Sequence, residues 1–181
     1  MNDLRTPKTF RSLKLAFLDL LEQHRFEDIT VGQLCQRAEI RRATFYNHFA
    51  DKFEFLSFFI REIRDDMVTC IAQRNPEVEK EAGSYYKNLL HELVVFFQAH
   101  PQLVCNLKNS QMLPVMMEIF AESVAQDALH YFHEQGQPEP EEQLELKAHF
   151  YAGGILQLLQ LWMKDPERFQ IDSVNWLNYL L

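Results

Sequence analysis

A short stretch near the N-terminus concentrates side chains that can donate hydrogen bonds to phosphates or to base edges. Arg41 and Arg42 open it and Lys52 closes it. Side chains of these types position proteins on the DNA backbone and read bases in the grooves. An arginine pair alone is more often a solvated surface, so the elements that position these residues decide the interpretation. The remaining donors of the stretch are Thr44, Tyr46, Asn47 and His48.

Two helices are predicted before this stretch. Apolar residues at helical spacing predict the first over about 6–24, where Pro7 suits the first turn. Thr30 and Gln33 have the spacing of a capping box, which predicts a second, short helix over 31–38. This helix ends shortly before the donor-rich stretch, so a tight turn must join the two.

The donor-rich stretch is itself predicted to form a helix over 41–49. Phe45 and Phe49 lie four residues apart, so both can face inward and leave the donors outside. Two short helices joined by a tight turn are typical of the helix-turn-helix motif, whose second helix lies in the major groove. The sequence therefore predicts binding to double-stranded DNA, with Thr30 as a further phosphate ligand at a helix start.

The rest of the chain is also predicted to be helical, which gives an all-α fold class. Asp51 and Glu54 have the spacing of a capping box and predict a long helix that ends near Gln73. Further helices are predicted over 85–99, 102–109, 114–134, 141–164 and 172–181. We expect an N-terminal three-helix helix-turn-helix DNA-binding domain over residues 1–50 and a C-terminal helical regulatory and dimerisation domain over residues 51–181.

The distribution of charge supports an N-terminal site for nucleic acid. The whole chain of 181 residues has a formal net charge of -8. Residues 1–50 contain eight basic and six acidic residues, a net charge of +2, whereas residues 51–181 contain ten and twenty, a net charge of -10. A local basic face can bind phosphate although the molecule as a whole is acidic.

The segment from Leu34 to Leu56, LCQRAEIRRATFYNHFADKFEFL, resembles the signature of the TetR family of transcriptional regulators. The resemblance covers about the first sixty residues. It implies a homodimeric repressor that binds a palindromic operator and is released by a small-molecule effector. It also implies phosphate contacts for one set of residues and base contacts for Arg41, Arg42 and Asn47. The matching positions are Ala38, Thr44, Phe45, Tyr46, His48, Phe49, Lys52 and Leu56, and the implied phosphate ligands are Thr30, Thr44, Tyr46, His48 and Lys52.

The segment departs from the family pattern at two positions. Glu39 occupies the turn position that usually holds glycine, and Arg41 stands where a small hydroxyl residue is common. These departures leave the geometry of the turn and the sequence of the operator open.

An apolar stretch near the C-terminus predicts a dimer surface. It is hydrophobic over more than one helical face, and its small residues would let a partner backbone approach closely. The resemblance implies that the last two helices pair with their copies in a four-helix bundle; the alternative is that the stretch is only monomer core. The residues expected at the dimer surface are Tyr151, Gly153, Gly154, Ile155, Leu158, Trp162, Trp176 and Leu180.

The middle helices are rich in methionine and aromatic residues. Such side chains can line an adaptable pocket for a small apolar or aromatic effector, and they equally well fill a core. The candidates for an effector pocket are Phe96, Phe97, Met116 and Phe120.

Other functional classes find less support in the sequence. A co-regulator that acts through a protein partner would contain the same helix-turn-helix and remains the alternative. No phosphate-binding loop, HExxH motif or paired nucleophile and base is present, so we expect no enzyme. His130, His133 and His149 could in principle hold a metal, but such spacing is common on solvated helices, and we expect neither metal nor cofactor.

The cysteines and the N-terminus predict where the protein resides. The three cysteines form no CxxC pair, and their odd number does not suggest a disulfide framework. The first residues lack the apolar core of a signal peptide, and the apolar runs are too short to span a bilayer. We therefore expect a cytoplasmic protein without a membrane partner.

Overall fold

The structure is a computed structural model that describes residues 5–74, 82–134 and 136–169. The regular elements of these residues are all helical, which confirms the predicted all-α class. None of the described helices combines the length and the apolar character needed to cross a membrane. The helices are α1 (Arg5–Gln23), α2 (Val31–Arg37), α3 (Arg42–Tyr46), α4 (Lys52–Arg74), α5 (Ala82–Ala99), α6 (Pro101–Lys108), α7 (Leu113–Glu134) and α8 (Glu141–Lys164), and the segment Phe26–Asp28 forms a single 3₁₀ turn.

Most helix bounds agree with the sequence-based predictions to within a few residues. The main difference is α3, which was predicted over 41–49 and ends at Tyr46. After Tyr46 the backbone tightens, because the amide of His48 donates to the carbonyl of Phe45, three residues back. The predicted final helix over 172–181 lies outside the described residues.

The chain divides into two compact units. The N-terminal unit comprises the described residues of 1–60 together with 100–116, and the C-terminal unit comprises the described residues of 61–99 and 117–181. The division runs through α4, so the first turns of α4 belong with the helix-turn-helix. Helix α6 also belongs to the N-terminal unit, where it packs against α1.

Phenylalanine rings form the core of the N-terminal unit. Phe17, Phe26, Phe45 and Phe55 are among its fully buried side chains. Phe17 meets Phe55 at 5.1 Å between ring centroids and Phe26 at 6.2 Å, both edge to face. Edge-to-face packing brings the positive edge of one ring to the negative face of the next, which adds to the stabilisation from burial. This core joins α1, α3 and α4, and it positions α3.

The C-terminal unit is built around α5 and α8, which pack against each other. Leu89 and Leu90 of α5 are fully buried, and the rings of Tyr86 and Tyr151 stack with 4.8 Å between centroids. The charged pair Arg64–Asp127 also lies within this unit and joins α4 to α7.

Candidate nucleic-acid interface

Helix α2 begins at the predicted capping box. The backbone amide of Gln33 donates to Oγ1 of Thr30 at 3.2 Å, and the amide of Thr30 donates to Oε1 of Gln33 at 2.8 Å. Thr30 has extended backbone geometry and an exposed side chain. Two amides that the helix itself leaves unpaired are therefore satisfied, and α2 starts at a defined residue.

The turn between α2 and α3 passes through a left-handed residue. Glu39 has a φ of 55° and is the only non-glycine residue of the described chain with a positive φ. The amide of the next residue, Ile40, donates to the carbonyl of Cys35 at 3.0 Å and closes the turn. Glycine adopts this left-handed conformation without steric cost. Glu39 therefore has the backbone conformation that glycine would have in this turn, although it carries a side chain.

Helix α3 is anchored by its two phenylalanines, as predicted. Phe45 is 0% exposed and Phe49 is 6% exposed. Their ring centroids lie 5.8 Å and 5.0 Å from that of Phe55 on α4. This inner face leaves the other side chains of the segment to point outward.

The outward side of the segment carries hydrogen-bond donors. Tyr46 is 55% exposed, Thr44 is half-buried, and four further donors are exposed at the surface: Arg41, Arg42, Asn47 and His48. The structure therefore places six of the eight residues predicted to contact DNA on one short segment, and a seventh, Thr30, lies at the start of the neighbouring helix.

Two of these donors are supported by neighbouring helices. The guanidinium of Arg42 lies against Gly32 in the first turn of α2. The ring of His48 packs edge-on against Phe10 of α1 at 5.1 Å between centroids. Arg42 also lies close enough to the buried Cys35 to affect its thiol: burial raises the pKa of Cys35, and the positive charge of Arg42 opposes that shift. Arg42 and His48 are thus held against neighbouring helices rather than extended freely into solvent.

The start of α4 differs in one detail from the predicted capping box. The amides of Phe53 and Glu54 donate to Oδ1 of Asp51 at 2.8 Å and 2.9 Å, so Asp51 caps the helix. The carboxylate of Glu54 accepts from the amide of Ala50 at 2.6 Å instead of from the amide of Asp51. The cap thereby ties α4 back to the end of the segment over residues 41–49, which we call the recognition segment.

Lys52 is placed differently from the other candidate DNA contacts. Its Nζ donates to the carbonyl oxygens of Phe26, Glu27 and Ile29 at 3.1 Å, 3.1 Å and 2.8 Å. It also lies 4.6 Å from the centroid of the Phe26 ring, within the range of a cation–π contact. Its ammonium is thus engaged inside the N-terminal unit, and a phosphate contact by Lys52 stays a prediction.

Glu27 connects the same 3₁₀ turn to the start of α7. Its Oε1 accepts hydrogen bonds from Oγ of Ser110 at 2.9 Å and from the amides of Gln111 and Met112 at 2.5 Å and 3.2 Å. Burial acts to raise the pKa of the Glu27 carboxyl, but these hydrogen bonds outweigh it and hold the pKa below its ordinary value. Sequence reasoning did not find this role, because the partners lie more than eighty residues away.

The predicted dimer residues have different environments on α8. Ile155 and Trp162 are buried within the chain itself, and Tyr151 and Leu158 are half-buried. Gly153 and Gly154 are exposed, and a Cβ added at either one would meet nothing within 4 Å. Two further predicted residues, Trp176 and Leu180, lie outside the described residues.

Two residues outside the predicted set of dimer residues extend the exposed face of α8. Leu146 is 67% exposed and Phe150 is 76% exposed. They lie four residues apart and precede Gly153 and Gly154 on the same side of the helix at helical spacing. Together Leu146, Phe150, Gly153 and Gly154 form a surface that we call the α8 apolar face.

The candidate effector residues do not all lie in one unit. Phe96 and Phe97 are half-buried on α5, with ring centroids 5.3 Å apart, and Phe120 is buried on α7. All three belong to the C-terminal unit, whereas Met116 belongs to the N-terminal unit.

An open groove of about 380 Å³ lies elsewhere, in the N-terminal unit between α1 and α2. Its lining is mostly polar, and the pair formed by Arg37 and Asp19 at 2.7 Å spans it. The described residues contain no group of three or more histidine, cysteine or acidic side chains arranged to hold a metal ion.

Comparisons with known proteins agree with the motif and the fold. YxbF, an uncharacterized HTH-type transcriptional regulator of Bacillus subtilis, is 31% identical over 163 residues, which is 87% of this chain and 40% of YxbF. DhaS of Lactococcus lactis, named as the HTH-type transcriptional activator of the dhaKLM operon, is 40% identical over 50 residues, which is 28% of this chain and 27% of DhaS. The chain thus spans less than half the length of these curated relatives. No family model matches the chain.

A solved structure identifies the fold. A TetR transcriptional regulator from a Rhodococcus species aligns with a TM-score of 0.51 at 15% identity, over 96% of this chain and 86% of that chain. In motif and in sequence, the chain is similar to helix-turn-helix transcriptional regulators. The chain has the fold of this TetR regulator, which is the fold that the resemblance in the sequence motif implies.

Proposed function

We propose that the chain is a homodimeric transcriptional repressor that binds a palindromic DNA operator through α3. The observation that carries this proposal is the two-sided character of α3. Phe45 and Phe49 are buried in the core, while Arg41, Arg42, Tyr46, Asn47 and His48 point outward. A helix of this kind fits the major groove, where such donors can reach both base edges and phosphates.

The proposed contacts divide into two groups. Thr30, Thr44, Tyr46 and His48 would hold phosphates, whereas Arg41, Arg42 and Asn47 would lie nearer to the bases. Thr30 lies at the start of α2, where the partial positive charge of a helix N-terminus favours an anion. Asn47 follows Tyr46 at the end of α3, and its side-chain amide can pair with adenine in the major groove.

A homodimer supplies the second recognition helix that a palindromic operator requires. The α8 apolar face supports this part of the proposal, because large exposed apolar patches on a soluble protein usually mark an interface. A second copy that packs there would cover Leu146 and Phe150, and its backbone could approach closely at Gly153 and Gly154. Trp176 and Leu180 would extend the interface.

Release by a small apolar or aromatic effector is the third part of the proposal. Phe96, Phe97 and Phe120 offer aromatic surface within the C-terminal unit for such a ligand. An effector would act by favouring a conformation in which the two recognition helices no longer match the spacing of the half-sites.

Selection from a pool of randomised duplexes with the full chain tests the DNA-binding proposal. The selected duplex should bind the wild-type protein. R42A/Y46A should lower its affinity by about 100-fold or more, since the dimer loses two Arg42 contacts to base edges, each worth roughly 1–3 kcal/mol, together with two Tyr46 contacts to phosphates. Arg61→Ala, which removes an exposed arginine from the C-terminal unit, is the matched control and should bind normally. A double variant that stays folded and binds the selected duplex like the wild type would contradict the proposal.

A second candidate is a regulator that acts through a protein partner. The observation that favours it is the similarity of the N-terminal segment to DhaS, which is named as a transcriptional activator. Transcription with purified RNA polymerase from a promoter containing the selected duplex separates the two. A repressor should lower the transcript level on its own, whereas a co-regulator should leave it unchanged until its partner is added.

A further inference from the structure

We propose that Lys52 positions the recognition segment as an internal cation and is not a phosphate ligand. This inference rests on the proposed function, because it concerns how α3 is presented to DNA. The residue type and the sequence position of Lys52 do not distinguish it from the other hydrogen-bond donors of the motif. The contacts of its side chain do.

The ammonium of Lys52 has no donor left for a phosphate. A lysine ammonium has three N–H groups, and three carbonyl oxygens accept from Nζ of Lys52 at 2.8–3.1 Å. The Phe26 and Phe53 rings lie 4.6 Å and 5.8 Å from Nζ and add a favourable electrostatic environment for the cation. A phosphate contact would have to break at least one of these charge-assisted hydrogen bonds.

At the start of α4, the ammonium of Lys52 needs nearby oxygen atoms to offset an unfavourable electrostatic interaction with the helix. Lys52 is the first residue of α4, and a cation in the first turn is disfavoured by the partial positive charge of a helix N-terminus. The carbonyl oxygens of the 3₁₀ turn offset that repulsion.

The contacts of Lys52 link the two ends of the helix-turn-helix. Ile29 directly precedes the cap of α2, and Lys52 follows the recognition segment, 23 residues later in the chain. Because Phe49 and Phe45 anchor the segment just before Lys52, a loss of the link would leave α3 packed but free to change its tilt relative to α2. Lys52 would therefore affect DNA affinity through the orientation of α3.

The dependence of DNA affinity on salt distinguishes the two roles. A phosphate ligand releases counterions, so its removal lowers the slope of log K against log salt by about 0.9 for each phosphate. With the duplex selected above as the probe, Lys52→Met should weaken binding at least 10-fold at every salt concentration and leave the slope unchanged. A fall in the slope of about 0.9 per motif would overturn the proposal, and so would unchanged affinity.

Two further variants keep the test decisive. Lys52→Arg retains a cation for phosphate, but a planar guanidinium cannot donate to three convergent carbonyls in the same way. It should therefore weaken binding at least 5-fold, whereas wild-type affinity would overturn the proposal. Phe59→Leu, a core change in the same unit, should lower the melting temperature without lowering affinity well below that temperature, which controls for destabilisation alone.

A measurement on the wild-type chain tests the inference without any variant. The ammonium protons of Lys52 should exchange slowly enough to give a ¹H–¹⁵N signal in the free protein, and that signal should keep its chemical shift when the selected duplex is added. Loss of the signal in the free protein, or a large shift on adding DNA, would overturn the proposal. If selection yields no duplex, the proposed function fails, while the signal in the free protein still reports on the carbonyl site.

Discussion

The segment over residues 41–49, which contains α3, and helix α8 each carry an apolar pair at four-residue spacing, and they use these pairs in opposite ways. In the first, Phe45 of α3 and Phe49, just beyond its end, are buried, and the polar side chains around them face outward. On α8, Leu146 and Phe150 are the exposed residues, while Ile155 on the same helix is buried.

The difference teaches that spacing alone does not tell an anchor from an interface. An apolar pair at helical spacing always shares one face of a helix, but only the surrounding elements decide whether that face is covered. The phenylalanine core covers the pair on α3, so α3 presents polar chemistry suited to nucleic acid. The pair on α8 is not covered by the described residues of its own chain, which suits a second copy of that chain.

The largest expected effect concerns the buried pair formed by Phe45 and Phe49. Phe45→Ala should lower the free energy of unfolding by about 3–5 kcal/mol, because it leaves a cavity in the core of the N-terminal unit. Urea denaturation followed by circular dichroism measures this loss. Tyr46→Ala, at the exposed adjacent position, is the control and should change stability by about 0.5 kcal/mol or less. Equal losses in the two variants would mean that α3 is not anchored by its inner face.

The exposed pair should matter for association instead. L146A/F150A should weaken the dimer by about 2–4 kcal/mol if the pair lies at the centre of the interface. Sedimentation equilibrium over a range of protein concentrations measures the dissociation constant. Leu15→Ala, which removes another exposed leucine from the N-terminal unit, should leave that constant unchanged. An unchanged dimer in the double variant, or a wild-type protein that is always monomeric, would refute the role of the α8 apolar face.

Glu27 tests how firmly the 3₁₀ turn is held, and its effect should depend on pH. Since its folded-state pKa lies below the ordinary value of 4.5, the ionised carboxylate stabilises the fold fully above that value, and the stabilisation is lost as the pH falls through the lowered pKa. Glu27→Gln should therefore lower the free energy of unfolding at pH 7 by about 1–3 kcal/mol, the range for hydrogen bonds to a charged group.

Denaturation of the wild type and the variant at several pH values checks this expectation, and the two curves should converge at low pH. Asp28→Asn is the control, because the Asp28 side chain forms an exposed ion pair with Arg25 at 3.0 Å, worth less than about 1 kcal/mol. A difference between Glu27→Gln and the wild type that does not shrink as the pH falls below 4.5 would argue against the carboxylate as its source.

The smallest expected effect is a gain in stability at the turn before α3. Glu39→Gly should stabilise the fold by about 0.5–1 kcal/mol, because relief of the left-handed strain exceeds the added flexibility of the unfolded chain. Thermal unfolding measures the gain. Glu39→Ala keeps the Cβ and should give no gain, so equal stabilisation by both variants would point to the charge of Glu39 rather than to its backbone conformation.

The sequence predicted the elements whose signals are local. The capping box of Thr30 and Gln33 places the start of α2, and the cap at Asp51 places the start of α4, because both involve residues within one helical turn. The inward face of α3 follows in the same way from the spacing of Phe45 and Phe49. The family motif then supplied what spacing could not, which was the orientation of the motif toward DNA.

The remaining features depend on residues that are distant in sequence. The carbonyl partners of Lys52 lie 23–26 residues before it, and the partners of Glu27 lie 83–85 residues after it. No local pattern reports such contacts. The burial of Ile155 and Trp162 was likewise hidden, because an apolar helix with several hydrophobic faces does not show which of them its own chain covers.

Protection of guanine N7 from methylation along the selected duplex tests the central claim most directly, because N7 is accessible only from the major groove. The account predicts two protected clusters about 10 base pairs apart, one for each recognition helix of a dimer. Protection of minor-groove adenine N3 alone, or an absence of N7 protection in a stable complex, would contradict it.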